Sequence, residues 1–67
     1  MFDGKAMRRI REEREMSRSG LAEKLGRSQL TVRRWETGRT KPNSHSVAVL
    51  AGILQCNVDE ITAGVAQ

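Results

Sequence analysis

Apolar residues along the chain recur at intervals of three and four, the spacing that gathers side chains onto one face of an α-helix. Ala6, Met7 and Ile10 form one such group, and Leu21, Ala22 and Leu25 a second. Thr31, Val32 and Trp35 form a third; Val47, Leu50, Ala51 and Leu54, with Val49 and Ile53 nearby, form a fourth. Val58, Ile61 and Val65 make a short fifth group. No segment alternates with the period of two that marks a half-buried strand. Each group follows a residue whose short polar side chain suits a helix N-cap: Asp3, Ser17, Ser28, Asn43 and Asn57. Gly26 and Gly38 close the second and third groups, glycine being the usual residue where a helix ends in the left-handed conformation. The pattern predicts helices over residues 4–14, 18–25, 29–37 and 44–54, and a short one after Asn57. Residues 1–4 are expected to be loosely ordered, with Phe2 able to fold back on the core.

The third segment has the most distinctive distribution of side chains. At about 100° per residue, Thr31, Val32 and Trp35 share one side, with Glu36 at its edge. Gln29, Leu30, Arg33, Arg34 and Thr37 share the other. Arginine and glutamine carry donors suited to base edges in a DNA major groove, although a basic helix face is also commonly just a solvated surface. Only Gly26, Arg27 and Ser28 separate this segment from the one before it, a turn short enough to set two helices at a steep angle. In the first segment Arg8–Glu12 and Arg9–Glu13 are spaced for ion pairs on the outer side. Arg11 borders the apolar stripe, so a carboxylate is needed if it is buried. Gly20 inside the second segment costs about 1 kcal/mol relative to alanine.

A chain of 67 residues implies one small domain spanning residues 1–67. A domain of this size buries only about 60% of its unfolded surface. Phe2 and Trp35 are the only aromatic residues, which makes Trp35 the largest apolar anchor. The formal net charge is +4, and it is unevenly placed. All twelve lysines and arginines lie between Lys5 and Lys41, and the chain up to Lys41 holds six acidic residues, whereas beyond Pro42 the only charges are Asp59 and Glu60. Such asymmetry favours a polyanion as partner. Cys56 and His45 are the sole residues of their types, which excludes an intrachain disulfide and a His/Cys metal cluster. Ser44, Ser46 and Cys56 lack a base with an orienting partner, and His45 does not face its neighbours on a helix. No catalytic residue, cofactor or metal site is therefore expected, and the protein is not expected to be an enzyme. Residues 47–54 form the longest apolar run, far short of the ~20 needed to span a bilayer. The N-terminus lacks the apolar core of a signal peptide. The expected location is cytoplasmic, on the nucleoid.

Five short helices with a glycine-turned pair in the middle resemble the lambda-repressor/Cro-like (XRE-type) helix-turn-helix family. The resemblance runs over residues 7–61. It is carried by Arg11, Ser17, Leu21-Ala22, Leu25-Gly26, Ser28-Gln29, Val32, Trp35-Glu36, Gly38, Pro42, Leu50-Ala51, Leu54 and Val58-Asp59-Glu60-Ile61. It implies an all-α, compact five-helix domain with its helix-turn-helix core at about residues 17–38. It further implies a sequence-specific double-stranded DNA-binding regulator, a repressor that binds a two-fold operator as a homodimer.

The roles implied by the resemblance fall on particular side chains. Gln29, Leu30, Arg33 and Arg34 stand at base-reading positions, with Leu30 offering only apolar contact. Ser17, Arg18, Ser28, Thr37, Arg39, Thr40 and Lys41 stand where phosphates are held. Arg11 and Glu36 match an inward-facing ion pair that joins the first helix to the end of the third. Val58, Ile61 and Val65, on the side lacking basic residues, are the expected dimer contacts. Glu15 and Gln55 stand where the family commonly ends a helix with glycine, so those turns are expected to differ. Arg27 replaces a usually apolar residue and is expected to face solvent or DNA. The same fold also serves as an antitoxin or protein-interaction module; the few residues after Ile61 are short for a partner-wrapping arm. No small-molecule ligand and no membrane contact are expected.

Overall fold

The computed structural model describes residues 1–62. Four α-helices follow one another: α1 (Gly4–Glu13), α2 (Arg18–Leu25), α3 (Gln29–Thr37) and α4 (Ser44–Leu54). A 3-10 turn at Val58–Ile61 completes the described part. The expected fifth α-helix is therefore a single tight turn. Val58 and Ile61 are three residues apart, a spacing that one 3-10 turn satisfies as well as an α-helix does. Val65, which would have extended it, lies outside the described residues.

Side chains start all four helices. Asp3 accepts from the amides of Lys5 and Ala6, Ser17 from Gly20, Ser28 from Thr31 and Asn43 from Ser46. Each bond satisfies one of the amides left without an intrahelical partner in a first turn. At the 3-10 turn the Glu60 side chain accepts from the Asn57 amide at 2.8 Å, and the Glu60 amide donates to the Asn57 carbonyl at 2.9 Å.

The helix ends hold one correction. Gly26 and Gly38 take the left-handed conformation at the ends of α2 and α3. Glu15 and Gln55 take it as well, at φ 55° and 56°. These turns thus keep the geometry that glycine normally supplies, at a cost of about 1–2 kcal/mol each. Arg14 supports the second of these turns. Its guanidinium donates to the carbonyls of Leu54 (3.0 Å) and Gln55 (3.1 Å), so the end of α1 ties down the last carbonyls of α4.

The core joins every element. Met7 and Ile10 of α1 meet Leu21 and Ala22 of α2, Val32 and Trp35 of α3, Val47, Leu50, Ala51 and Leu54 of α4, and Ile61. Leu25, Ile53, Cys56 and Phe2 pack at its margin. Residues 1–4 are tied in rather than loose. The Asp3 amide donates to the Ile61 carbonyl at 2.8 Å, and Phe2 pairs antiparallel with Thr62. Gly4 lies against the backbone carbonyls of Trp35 and Glu36, where a β-carbon would collide with both. Helix α1 therefore begins hard against the end of α3, and only glycine fits at that point.

Ile61 has no exposed surface, so it serves the core of its own chain and not a dimer contact. Val58 remains 43% exposed. No described helix is long and apolar enough to cross a membrane.

Candidate nucleic-acid interface

Helix α3 is fixed from both ends and from beneath. Ser28 starts it, and Gly38 stops it with amide bonds back to Arg34 and Trp35. Val32 is fully buried, and Trp35 retains 4% of its surface. That anchoring determines which side of the helix remains outside. Gln29, Leu30, Arg33, Arg34 and Thr37 are all exposed, as the periodicity predicts, while Thr31 is half-buried at the boundary. Leu30 is 50% exposed and stands between the polar side chains of this face.

The outward side chains share continuous relief. One open depression is lined by Leu30, Arg33, Arg34, Thr37 and Arg39. A second, sharing Leu30 and Arg33, is lined by Arg18, Gln29, Leu30 and Arg33. A third, bounded by Ser17, Ser19, Gly20, Ala22, Glu23, Arg27 and Gln29, runs along α2. The four candidate base-reading residues and two of the candidate phosphate-binding arginines, Arg18 and Arg39, therefore lie on one surface. Thr40 and Lys41 are exposed in the loop beyond α3.

Hydroxyl chemistry is more constrained than residue type suggests. The Thr37 hydroxyl donates to the Arg34 carbonyl of its own helix at 3.3 Å. The Ser17 and Ser28 hydroxyl oxygens accept from backbone amides at 2.9 and 3.1 Å. Each also shares a hydrogen with a neighbouring hydroxyl, Ser19 at 3.1 Å and Thr31 at 3.0 Å. Capping is thus the established task of both serines. The guanidinium and ammonium groups of Arg33, Arg34, Arg39 and Lys41 have no ion pair among the described residues, which leaves their charge available to an anion.

Beneath this face lies the buried charge. Arg11 donates from Nε to Glu36 at 2.7 Å, with side-chain exposures of 9% and 2%. It also donates from Nη1 to the Met16 carbonyl at 2.7 Å. The expected inward pair is therefore present and joins α1 to the end of α3. A second donor to the same carboxylate was not foreseen: Arg18 Nε reaches the other Glu36 oxygen at 2.9 Å. A buried carboxylate has two oxygens to satisfy, which signals the need for another donor. Separation in the chain hides which donor it is. Arg27 is exposed, as expected, and its guanidinium lies 5.8 Å from the Trp35 ring centroid, within cation–π reach. The residue at the turn thereby covers the outer edge of the main anchor. Among the described residues, no group of three or more His, Cys, Asp or Glu could hold a metal ion.

Two packed helices joined by a three-residue turn, with the second presenting an arginine-rich face, have the form of a helix-turn-helix unit. A family model described as helix-turn-helix matches residues 7–61, and the chain belongs to that family of DNA-binding transcription regulators, the XRE or lambda-repressor-like kind. Among solved structures it is similar to the P22 c2 repressor in complex with a synthetic operator. The identity is 26% and the TM-score 0.85, covering 96% of this chain and 97% of that one. It is likewise similar to the DNA-binding domain of the P22 c2 repressor in solution, at 25% identity and a TM-score of 0.86, covering 100% of this chain and 88% of that one. No curated protein matches at a significant level.

Proposed function

We propose that the protein is a sequence-specific repressor that binds a two-fold operator as a homodimer, inserting α3 into the major groove. The observation that carries this reading is the exposed face of α3. Gln29, Leu30, Arg33 and Arg34 project from a helix that Val32 and Trp35 hold in place. Arginine reaches guanine O6 and N7 with two parallel donors, and glutamine meets adenine N6 and N7 in the same manner. Leu30 supplies an apolar surface for a thymine methyl. Arg18, Arg39, Thr40 and Lys41 flank that face and take backbone phosphates, which gives affinity without sequence preference. The P22 c2 repressor, similar in fold, is described bound to a synthetic operator, which supports the repressor role and the duplex partner.

A single copy of α3 reads only a few base pairs. Two copies related by a two-fold axis would read half-sites about one helical turn apart. Val58 is an exposed apolar residue in the stretch of chain that carries no basic side chain, which supports a dimer contact there.

Selection of bound duplexes from random DNA tests the proposal. The expected product is a two-fold sequence with half-site centres about 34 Å, one turn, apart. Recovery of unrelated sequences, with equal affinity for a scrambled duplex at moderate salt, would overturn it.

A further inference from the structure

We infer that Glu36 is a positioning residue for DNA binding, one that touches no DNA itself. It fixes the Arg18 guanidinium at the margin of the α3 face, where the free end of that guanidinium takes one backbone phosphate. The inference rests on the DNA-binding reading above.

Four contacts connect five charged side chains into one alternating series. Arg8 Nε is 3.1 Å from Glu12, and Glu12 is 3.9 Å from Arg11. Arg11 is 2.7 Å from Glu36, and Glu36 is 2.9 Å from Arg18. Three guanidiniums alternate with two carboxylates, so the series carries one uncompensated positive charge. It has a guanidinium at each end. The Arg8 end lies on the exposed side of α1, 56% accessible. The Arg18 end lies at the start of α2, beside Gln29, Leu30 and Arg33. A phosphate at Arg18 completes the alternation.

The geometry of arginine allows Glu36 and a phosphate to be held together. A guanidinium presents five N–H donors in one rigid plane. Glu36 occupies Nε, and the two Nη groups have no hydrogen bond among the described residues. The Arg18 side chain is 38% exposed, so its outer edge is open to an anion. An arginine pinned in this way has lost its rotamer freedom on folding and has little left to lose on binding.

Release of Glu36 to make way for DNA is disfavoured. Its side chain is 2% exposed, and losing Arg18 would leave a buried oxygen without a donor. Glu36 therefore stays in place as Arg18 engages phosphate.

The test is a double-mutant cycle on binding to a selected duplex. It uses Arg18→Ala, Glu36→Gln and the pair together, each shown to be folded by circular dichroism at the working temperature. Arg18→Ala is expected to weaken binding roughly ten-fold and to lower the salt slope by about one. Glu36→Gln is expected to weaken binding by roughly five-fold or more when Arg18 is present, and less than about two-fold in the Arg18→Ala background. Equal losses in both backgrounds would overturn the inference, because Glu36 would then act only through the fold.

Should Glu36→Gln not fold, Arg18→Lys decides the matter. A lysine keeps the charge but cannot hold the carboxylate and present a fork to phosphate, so it is expected to recover little of the lost affinity. Full recovery would contradict the positioning role. If the unaltered protein shows no preference for the selected duplex over a scrambled one, the DNA-binding reading itself fails. If that preference holds and the cycle shows no coupling, only the present inference fails.

Discussion

Helices α3 and α4 close the same core from different positions, yet their outer faces differ in kind. Helix α3 buries Val32, Trp35 and Glu36, and α4 buries Ser46, Val47, Leu50, Ala51 and Leu54. Both have an inner face built on helical periodicity and an N-cap made by a side chain. Outside, α3 exposes Gln29, Leu30, Arg33, Arg34 and Thr37, whereas α4 exposes Ser44, His45, Ala48 and Gly52, with no carboxylate, lysine or arginine. Periodicity identifies what faces inward in each helix. It is the chemistry of the outer face that separates α3, the proposed DNA-reading helix, from α4.

Substitutions on the two inner faces should be equally damaging. Trp35→Ala is expected to cost about 3–5 kcal/mol and Leu50→Ala about 2–5 kcal/mol. Each is a large part of the ~5–15 kcal/mol that holds a typical domain together. Urea unfolding checks both, and a loss below about 1 kcal/mol at either position would break the equivalence of the inner faces.

Next in size is the contact through which α1 supports α3 alone. Gly4→Ala would drive a methyl group into the Trp35 and Glu36 carbonyls. The expected loss is about 1–3 kcal/mol, by analogy with overpacking elsewhere. A melting temperature equal to that of the unaltered protein would contradict the close approach.

Smaller effects are expected where the two helices end. Gly38 ends α3 at φ 82° with open space around its α-carbon, and Gln55 ends α4 at φ 56°. Gly38→Ala should destabilise by about 1 kcal/mol through backbone strain alone. Gln55→Gly should stabilise by up to about 1 kcal/mol, with the entropy of glycine in the unfolded chain offsetting part of the gain. Thermal melts of the two variants should therefore move in opposite directions. The smallest effect belongs to the outer face of α4. Ala48→Glu should change stability by less than about 0.5 kcal/mol and leave the ranking of DNA sequences unaltered.

Much of this architecture is legible in the sequence, because caps and periodicity are local properties. Asp3, Ser17, Ser28 and Asn43 mark four helix starts, and Gly26 and Gly38 mark two ends, all as observed. The inward turn of Arg11 and Glu36 is legible as well, through resemblance to a family. What is not legible depends on groups far apart in the chain. The Phe2–Thr62 pairing joins opposite ends of the described segment, and no local pattern announces it. Arg18 reads as a free cation at a helix start until the fold brings Glu36 to it. The bond of the Thr37 hydroxyl to the Arg34 carbonyl of its own helix is likewise not announced by residue type. Ile61 reads as a dimer contact on a short fifth helix, but the 3-10 turn puts it in the core of its own chain. The left-handed Gln55 turn is met by a tertiary contact, the Arg14 guanidinium on the Leu54 and Gln55 carbonyls, whereas the left-handed Glu15 turn is closed by backbone bonds within its own helix end.

The claim that the outer face of α3 reads bases is tested most directly with Arg34→Ala. Its binding should be measured against the selected duplex and against every single-base substitution of it. The expected result is a loss of about 1–3 kcal/mol with preference relaxed at one base pair of each half-site and an unchanged unfolding midpoint. A uniform loss across all duplexes would contradict the claim and reduce Arg34 to a phosphate contact.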